Sequence, residues 1–372
     1  MQHFQTRLEQ LAAQNQLRRL SRISECRLNC SSNDYLGLSQ SSELQAEFLN
    51  RFSDRHLPAF GSTSSRLLAG NSEYHEALEA TLQQAYGRPA LLFNSGYHAN
   101  IGILPAIADK HTLILADKLV HASLIDGIRL SGAPYKRFRH NDTAQLARLL
   151  NEHTAQYRHV IIVTESIFSM DGDFAPLTEL VDLKNRHPNT LIYLDEAHAV
   201  GVYGTSGLGL AEHYACLKSI DILIGTFGKA AASIGAYAIC NDTLKSYLIN
   251  TMRPLIFSTA LPPLNAAWSD FVFQKFPFWQ AKREHLNHIS TKLRTAIRQR
   301  GLPMPSQSNV VPYITGSNQK AEQLAAELQQ QGCYVLPIRP PTVPRNTARL
   351  RFSLTADMQE SDIDWLIGLL PV

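Results

Sequence analysis

At 372 residues, with 44% hydrophobic and 18% charged side chains, the chain is long enough for one large α/β domain plus a smaller one. A net charge of +3, with no Lys/Arg block interleaved with aromatics, argues against nucleic acid as a partner. Five cysteines (Cys26, Cys30, Cys216, Cys240, Cys333), odd in number and without a CxxC pair, suit reduced thiols in a cytosol and speak against a disulfide framework or a metal site.

In chain order, residues 1–20 are polar, carry Arg7, Arg18 and Arg19, and lack the apolar core of a signal peptide. Phe4, Leu8, Leu11, Leu17 and Leu20 approximate one helical face, which predicts an amphipathic arm over 3–20. The segment around Asn29 to Ser39 reads as loop. From Glu73 an alternation begins, with helices expected at 73–86, 97–108, 121–130, 142–152 and 176–186. Strands are expected at 90–93, 113–116, 159–164, 191–195, 220–225 and 234–240. This alternation predicts a mainly parallel sheet covered by helices on both faces. After Pro262-Pro263 the pattern becomes long helices (264–300, 318–331, 358–370) around short strands near 309–314, 333–338 and 347–353, a second, smaller α+β domain. The expected organisation is therefore an arm over 1–40, a large domain over 41–262 and a small domain over 263–372. No apolar run is long enough to span a bilayer, so the protein is expected to be cytoplasmic without a membrane partner.

Chemistry concentrates where expected strands end. Ile222-Leu223-Ile224-Gly225-Thr226-Phe227-Gly228-Lys229 is a buried strand closing in a small-residue turn that holds one lysine. An apolar setting lowers a lysine pKa and suits the amine to Schiff-base chemistry. The strand 191–195 ends in Asp195, and a carboxylate and a lysine so placed are what a pyridoxal phosphate (PLP) site needs. Each alone reads equally as a capping Asp or a surface Lys. Ser95-Gly96-Tyr97 opens a helix, where backbone N–H groups favour a phosphate. His121 and His198 follow strand ends, as structural imidazoles or as groups that stack on a ring and donate to a phenolate. Glu165 to Asp173 reads as a solvated loop with a turn at Asp171-Gly172. Arg351, on an alternating strand, offers a planar fork to a carboxylate or a surface ion pair. Asp195-Glu196-Ala197-His198 also spells the DEAH of an NTPase, but no G-x-x-x-x-G-K-[ST] occurs anywhere, which removes its phosphate-binding partner.

Taken in order, Ser32-Asn33-Asp34-Tyr35-Leu36-Gly37-Leu38, Ser64-Ser65-Arg66-Leu67-Leu68-Ala69-Gly70-Asn71, Ser95-Gly96-Tyr97, His121-Ala122-Ser123, Phe168-Ser169-Met170-Asp171-Gly172-Asp173, Asp195-Glu196-Ala197-His198 and Thr226-Phe227-Gly228-Lys229 resemble the α-oxoamine synthases, fold-type-I PLP-dependent enzymes. The resemblance spans about Arg18 to Thr355. It implies that Lys229 holds PLP as a Schiff base and serves as base at the substrate Cα, and that Asp195 pairs with the pyridine nitrogen. It implies further that His121 covers the ring and protonates a keto oxygen, and that Ser169 and His198 bond the ring oxygen. Gly96, Tyr97 and Thr226 hold the phosphate, with Ser258 and Thr259 added from the second subunit of a homodimer. Arg351 and Asn33 take the amino-acid carboxylate, and Arg18 and Thr342 lie near the acyl substrate. Within the family, Ile338-Arg339-Pro340-Pro341-Thr342-Val343-Pro344 is most similar to members that condense L-alanine with pimeloyl-CoA or a pimeloyl-carrier protein; relatives using glycine or serine usually differ there. Three departures are Glu196 in place of Asp or Ala, Ala230, Ala231 and Ala232 in place of a Gly-rich stretch, and a short N-terminal arm, which bears on matching Arg18 to a substrate-contacting arginine.

Overall fold

A computed structural model describes residues 1–18, 20, 22–23, 25–54 and 56–371. It divides into two compact units. The larger comprises residues 36–168 and 174–283, the smaller residues 1–35, 169–173 and 284–372. These limits differ from the expected ones at three places, one being residues 169–173, which fall in the smaller unit. Residues 263–283 belong to the larger unit because the helix Pro263–Phe273 buries Phe271 and Phe273 there, with Phe273 beside Tyr86 at 6.3 Å between ring centres. Residues 1–35 of the expected arm join the smaller unit, where Leu28–Asn29 pairs in parallel with Cys333–Tyr334, and residues 36–40 fall in the larger.

The larger unit is built on a seven-stranded sheet of β1 (Ala90–Phe93), β2 (Thr112–Asp117), β3 (Tyr135–Phe138), β4 (His159–Glu165), β5 (Thr190–Asp195), β6 (Ile222–Thr226) and β7 (Ala236–Ile239). Its order is β1-β7-β6-β5-β4-β2-β3, and only β7 pairs antiparallel. Since β7 opposes both β1 and β6, those two run the same way, and β1, β4, β5 and β6 end on one edge. Strands β1 and β2 are buried along their whole length, as expected of a sheet covered on both faces. The helices begin and end on recognisable caps. Ser95 caps Gly96–Ile107 by accepting from the His98 N–H at 3.2 Å, and Gly87, at φ 67°, ends Glu73–Tyr86 in the left-handed region that favours glycine.

The smaller unit holds a three-stranded antiparallel sheet in which Ala348–Ser353 lies between Pro337–Ile338 and Val310–Gly316. The first helix runs only over Gln2–Ala13, ends before Asn15 at φ 51°, and buries none of its residues, so the longer amphipathic arm is not formed; position 19 of that expectation lies outside the described residues. The helix expected over 264–300 is two, Pro263–Phe273 and Gln280–Gln299, separated by a 3-10 turn that contains Pro277. Among the described residues no helix is long and apolar enough to cross a membrane, and all five cysteines are free thiols.

Candidate active site

In the larger unit the strand ends gather the expected residues. Asp195 closes β5, opposite Glu165 of β4 and Ile224 of β6. It is 7% exposed; its Oδ1 accepts the Ala197 N–H at 2.9 Å and its Oδ2 the Asn100 side-chain N–H at 2.8 Å. His198, also buried, lies on the loop that leaves this strand. Lys229 follows β6 on a loop closed by the Phe227 N–H on the Gly235 carbonyl (3.0 Å) and the Ser233 N–H on the Phe227 carbonyl (2.9 Å). Buried Phe227 packs on Tyr237, with ring centres 5.1 Å apart, which anchors the loop that carries the amine. Gly225, expected to serve the turn, lies within β6. A Cβ there would fall 2.1 Å from the Tyr237 ring, so glycine is required by close approach.

His121 is the N-cap of the helix Ala122–Ser131. Its backbone N–H is held by the Glu165 carboxylate, and its Nδ1 receives the Ser123 N–H at 3.2 Å. Burial lowers its pKa from the ordinary imidazole value, Lys229 adds to that effect, and Asp195 and Asp126 oppose it. Glu165 is 3% exposed, which corrects the reading of a solvated loop at its position; burial and the nearby Asp195 raise its pKa. At the start of Gly96–Ile107 the first N–H groups have no helical acceptor, and nothing lies within 4 Å of a Cβ placed on Gly96. The Tyr97 hydroxyl donates to Asp126 at 2.6 Å. The Thr226 hydroxyl donates to the Gly235 carbonyl at 3.0 Å and accepts the Gly228 N–H at 3.2 Å.

The smaller unit brings together the residues expected to meet a carboxylate. Arg351 donates through Nε to the Ser169 carbonyl at 2.6 Å and through Nη1 and Nη2 to Asn33 Oδ1, each at 3.2 Å. The Tyr35 hydroxyl reaches the same Asn33 oxygen at 3.2 Å. Arg349, two residues before Arg351 on the same strand, is 3% exposed and pairs with Asp171. Gly172, at φ 70°, accepts the N–H groups of Gln307 and Ser308, which fixes the turn next to Ser169. A separate cavity of about 440 Å³ is lined by Leu17, Arg18, Leu336, Ile338, Arg339 and Thr342. Among the described residues no group of three or more His, Cys, Asp or Glu is placed to hold a metal ion.

From the sequence, Asn100, Ser123, Tyr193 and Glu165 carry no expected role in the site, although Ser123 falls in a family motif and Glu165 at the start of an expected loop. Asn100 is four residues beyond Gly96 on the helix, hence on the same face as the phosphate-favouring N-terminus, which was a usable signal. The burial of Glu165 depends on its register opposite Asp195, which no local pattern reports.

A family model described as Aminotransferase class I and II matches residues 27–370. An 8-amino-7-oxononanoate synthase from Haemophilus ducreyi is 57% identical over 350 residues, covering 92% of this chain and 90% of that one. A serine palmitoyltransferase from S. paucimobilis with bound PLP superposes with a TM-score of 0.88 at 27% identity, covering 99% of this chain and 95% of the other. An 8-amino-7-oxononanoate synthase from Francisella tularensis superposes at 0.78 and 27% identity, covering 92% and 96%.

Proposed function

The chain belongs to the class I and II aminotransferase family, in the branch of the 8-amino-7-oxononanoate synthases, and from that membership we propose that it condenses L-alanine with a pimeloyl thioester in biotin biosynthesis. The products are 8-amino-7-oxononanoate, CO2 and the free thiol. The cofactor is pyridoxal 5'-phosphate. The observation that carries this reading is Lys229 beyond β6 together with Asp195 at the end of neighbouring β5.

The residues present fit PLP. A carboxylate oxygen accepts more than one hydrogen bond, so Asp195, already oriented by Asn100 and Ala197, retains capacity for a protonated ring nitrogen. The open side of Gly96 and the helix N-terminus suit a phosphate. Lys229 would hold the coenzyme covalently, Gly96, Tyr97 and Thr226 its phosphate, His198 and Ser169 its ring oxygen, and His121 would cover its ring. When bound, PLP supplies an electron sink for the pair left at the alanine Cα and for the pair freed as CO2 departs. The chain's own residues do the rest. Lys229 removes and returns the Cα proton. Arg351 and Asn33 orient the alanine carboxylate through a preformed fork. Arg18 and Thr342, lining the 440 Å³ cavity, take the acyl substrate, either pimeloyl-CoA or a pimeloyl-carrier protein.

The enzyme acts as a cytoplasmic homodimer. Support comes from the free thiols and from large apolar side chains on the surface of the larger unit, among them Phe60 (76% exposed), Leu68 (83%) and Phe257 (71%).

A steady-state assay of the PLP-loaded protein with pimeloyl-CoA and L-alanine, glycine or L-serine tests the reading. L-Alanine is expected to lead in kcat/KM by about tenfold or more, since one methyl group or hydroxyl is worth that much in a shaped site. Preference for glycine with a short acyl-CoA, or for serine with a long one, would assign the chain to a sibling activity of the α-oxoamine synthases.

A further inference from the structure

Asp195 is the start of a chain of hydrogen bonds whose direction is set by groups that can only accept or only donate. A carboxylate only accepts, so the Asn100 group that meets Asp195 Oδ2 at 2.8 Å is the amide nitrogen. The Asn100 oxygen then faces Tyr193, whose hydroxyl donates to it at 2.7 Å; burial raises the Tyr193 pKa well above the phenol range, so that donor stays protonated. The same Asn100 nitrogen donates to Ser123 Oγ at 2.9 Å. Ser123 Oγ lies 2.8 Å from His121 Nδ1 and, as a hydroxyl that accepts from Asn100, still has its own hydrogen to give to an unprotonated ring nitrogen. The backbone N–H of Ser123 points at that nitrogen too, at 3.2 Å. The backbone N–H can only donate, so Nδ1 meets it with a lone pair, and the Ser123 hydroxyl then donates to the same nitrogen. Asn100, Ser123 and Tyr193 are each 1% exposed or less, so water does not substitute for any of these partners.

We infer that Asn100 and Ser123 are positioning residues that lock His121 as the neutral imidazole protonated on Nε2, so that it acts as a hydrogen-bond donor and not as a general acid. A proton on Nδ1 would oppose the Ser123 backbone N–H and leave that buried donor unpaired. The charged groups facing His121 are Lys229, Asp195 and Asp126, with Glu165 on its backbone; burial and Lys229 outweigh the two carboxylates in holding the ring neutral. This changes the role expected of His121. It stabilises developing charge on a substrate oxygen by donating from Nε2, and the proton needed at Cα comes from Lys229. The catalytic part of this inference rests on the proposed site roles, whereas the tautomer does not.

The ring nitrogens of His121 in 15N-histidine-labelled holoenzyme test it, with the resonances assigned by comparison with His121→Asn. Nδ1 is expected to be unprotonated and Nε2 protonated from pH 8.5 down to below the ordinary imidazole value. Ser123→Ala is expected to give mixed-tautomer shifts, to begin protonating at higher pH, and to lose about tenfold in kcat with little change in the alanine KM, the effect of one donor. Ser123→Thr is expected to restore both readouts. Asn100→Ala, if it folds by circular dichroism, should shift the ring nitrogens in the same direction as Ser123→Ala. A wild-type ring protonated on Nδ1 at neutral pH, or Ser123→Ala shifts unchanged from wild type, would overturn the inference. Neither result depends on turnover, so neither is confused with a different substrate.

Discussion

The Arg18 guanidinium donates to the Thr342 hydroxyl at 2.8 Å, joining two positions 324 residues apart in the chain. Both line one cavity of about 440 Å³ in the smaller unit. Proline residues at 337 and 340 stiffen the segment that presents Thr342, so the pair is held at the wall of the cavity. Arg18→Ala and Thr342→Ala are therefore expected to raise KM for the pimeloyl thioester by about tenfold each, the loss of a charge-assisted contact, and to leave KM for L-alanine unchanged. Steady-state kinetics with each substrate varied in turn checks this. Running pimeloyl-CoA and pimeloyl-carrier protein in parallel shows which donor feels the loss more.

The role proposed for Lys229 is one no other side chain on its loop could take, since Phe227 is buried and Gly228 and Ala230 carry no amine. Lys229→Ala is expected to abolish the visible absorbance of the coenzyme-loaded protein and to lower turnover by several orders of magnitude, as loss of a covalent catalyst does. An absorbance scan with and without L-alanine, followed by a CO2-release assay, provides the check. A variant that keeps both signals would remove Lys229 from the chemistry.

Gly172 makes a prediction about the smaller unit. Its φ of 70° suits glycine, and a Cβ would fall 2.0 Å from the Val310 carbonyl oxygen. Gly172→Ala is expected to destabilise by about 2 kcal/mol or more, from backbone strain and the required shift of Val310. The turn also positions Ser169, whose carbonyl accepts from Arg351, so KM for L-alanine should rise in the same variant. Urea unfolding and alanine titration read the two effects separately.

What could be read in advance depended on whether the signal was local. The strands around Leu92, Ile114, Ile162 and Leu194 are unbroken apolar runs because both sheet faces are covered, and such runs are legible without a partner. Tyr135–Phe138 escaped because it is an edge strand, with Tyr135, Lys136 and Arg137 exposed and only Phe138 buried. Arg349 escaped for the opposite reason: an arginine on an alternating strand reads as outward, and its burial rests on Asp171 together with the Met170 and Thr347 carbonyls. In the candidate site, Lys229, Asp195 and His121 stand at strand ends and were visible. Asn100 and Ser123 matter through a hydrogen-bond chain among residues distant in sequence, which has no periodicity to detect.

Glu196, which departs from the residue usual beside the ring-binding Asp, gives a prediction in pH. Its carboxylate accepts the backbone N–H groups of Leu210 (3.1 Å) and Ala211 (2.7 Å), and Gly209, at φ 116°, leaves the room it occupies. Burial raises its pKa from 4.5 to about 7, with Asp195 adding to the rise, against the pull of the Ser166 hydroxyl and those two N–H donors. A folded-state pKa above the unfolded one means that the folded protein binds the proton more tightly. The associated stability is fully present below about pH 4.5 and is lost as pH rises through about 7, a change of about 3 kcal/mol for a shift of that size. His121, whose pKa is lowered, works in the other direction and loses stability as pH falls, so the wild-type profile alone mixes the two. A difference measurement separates them. Glu196→Ala leaves two buried N–H groups uncapped and should be destabilised at every pH, but its deficit relative to wild type should shrink by about 3 kcal/mol between pH 5 and pH 8, because only wild type carries the titrating carboxyl. Denaturant unfolding of both proteins across that range makes the comparison, and a deficit that stays constant would show that Glu196 is ionised throughout, held so by Leu210 and Ala211.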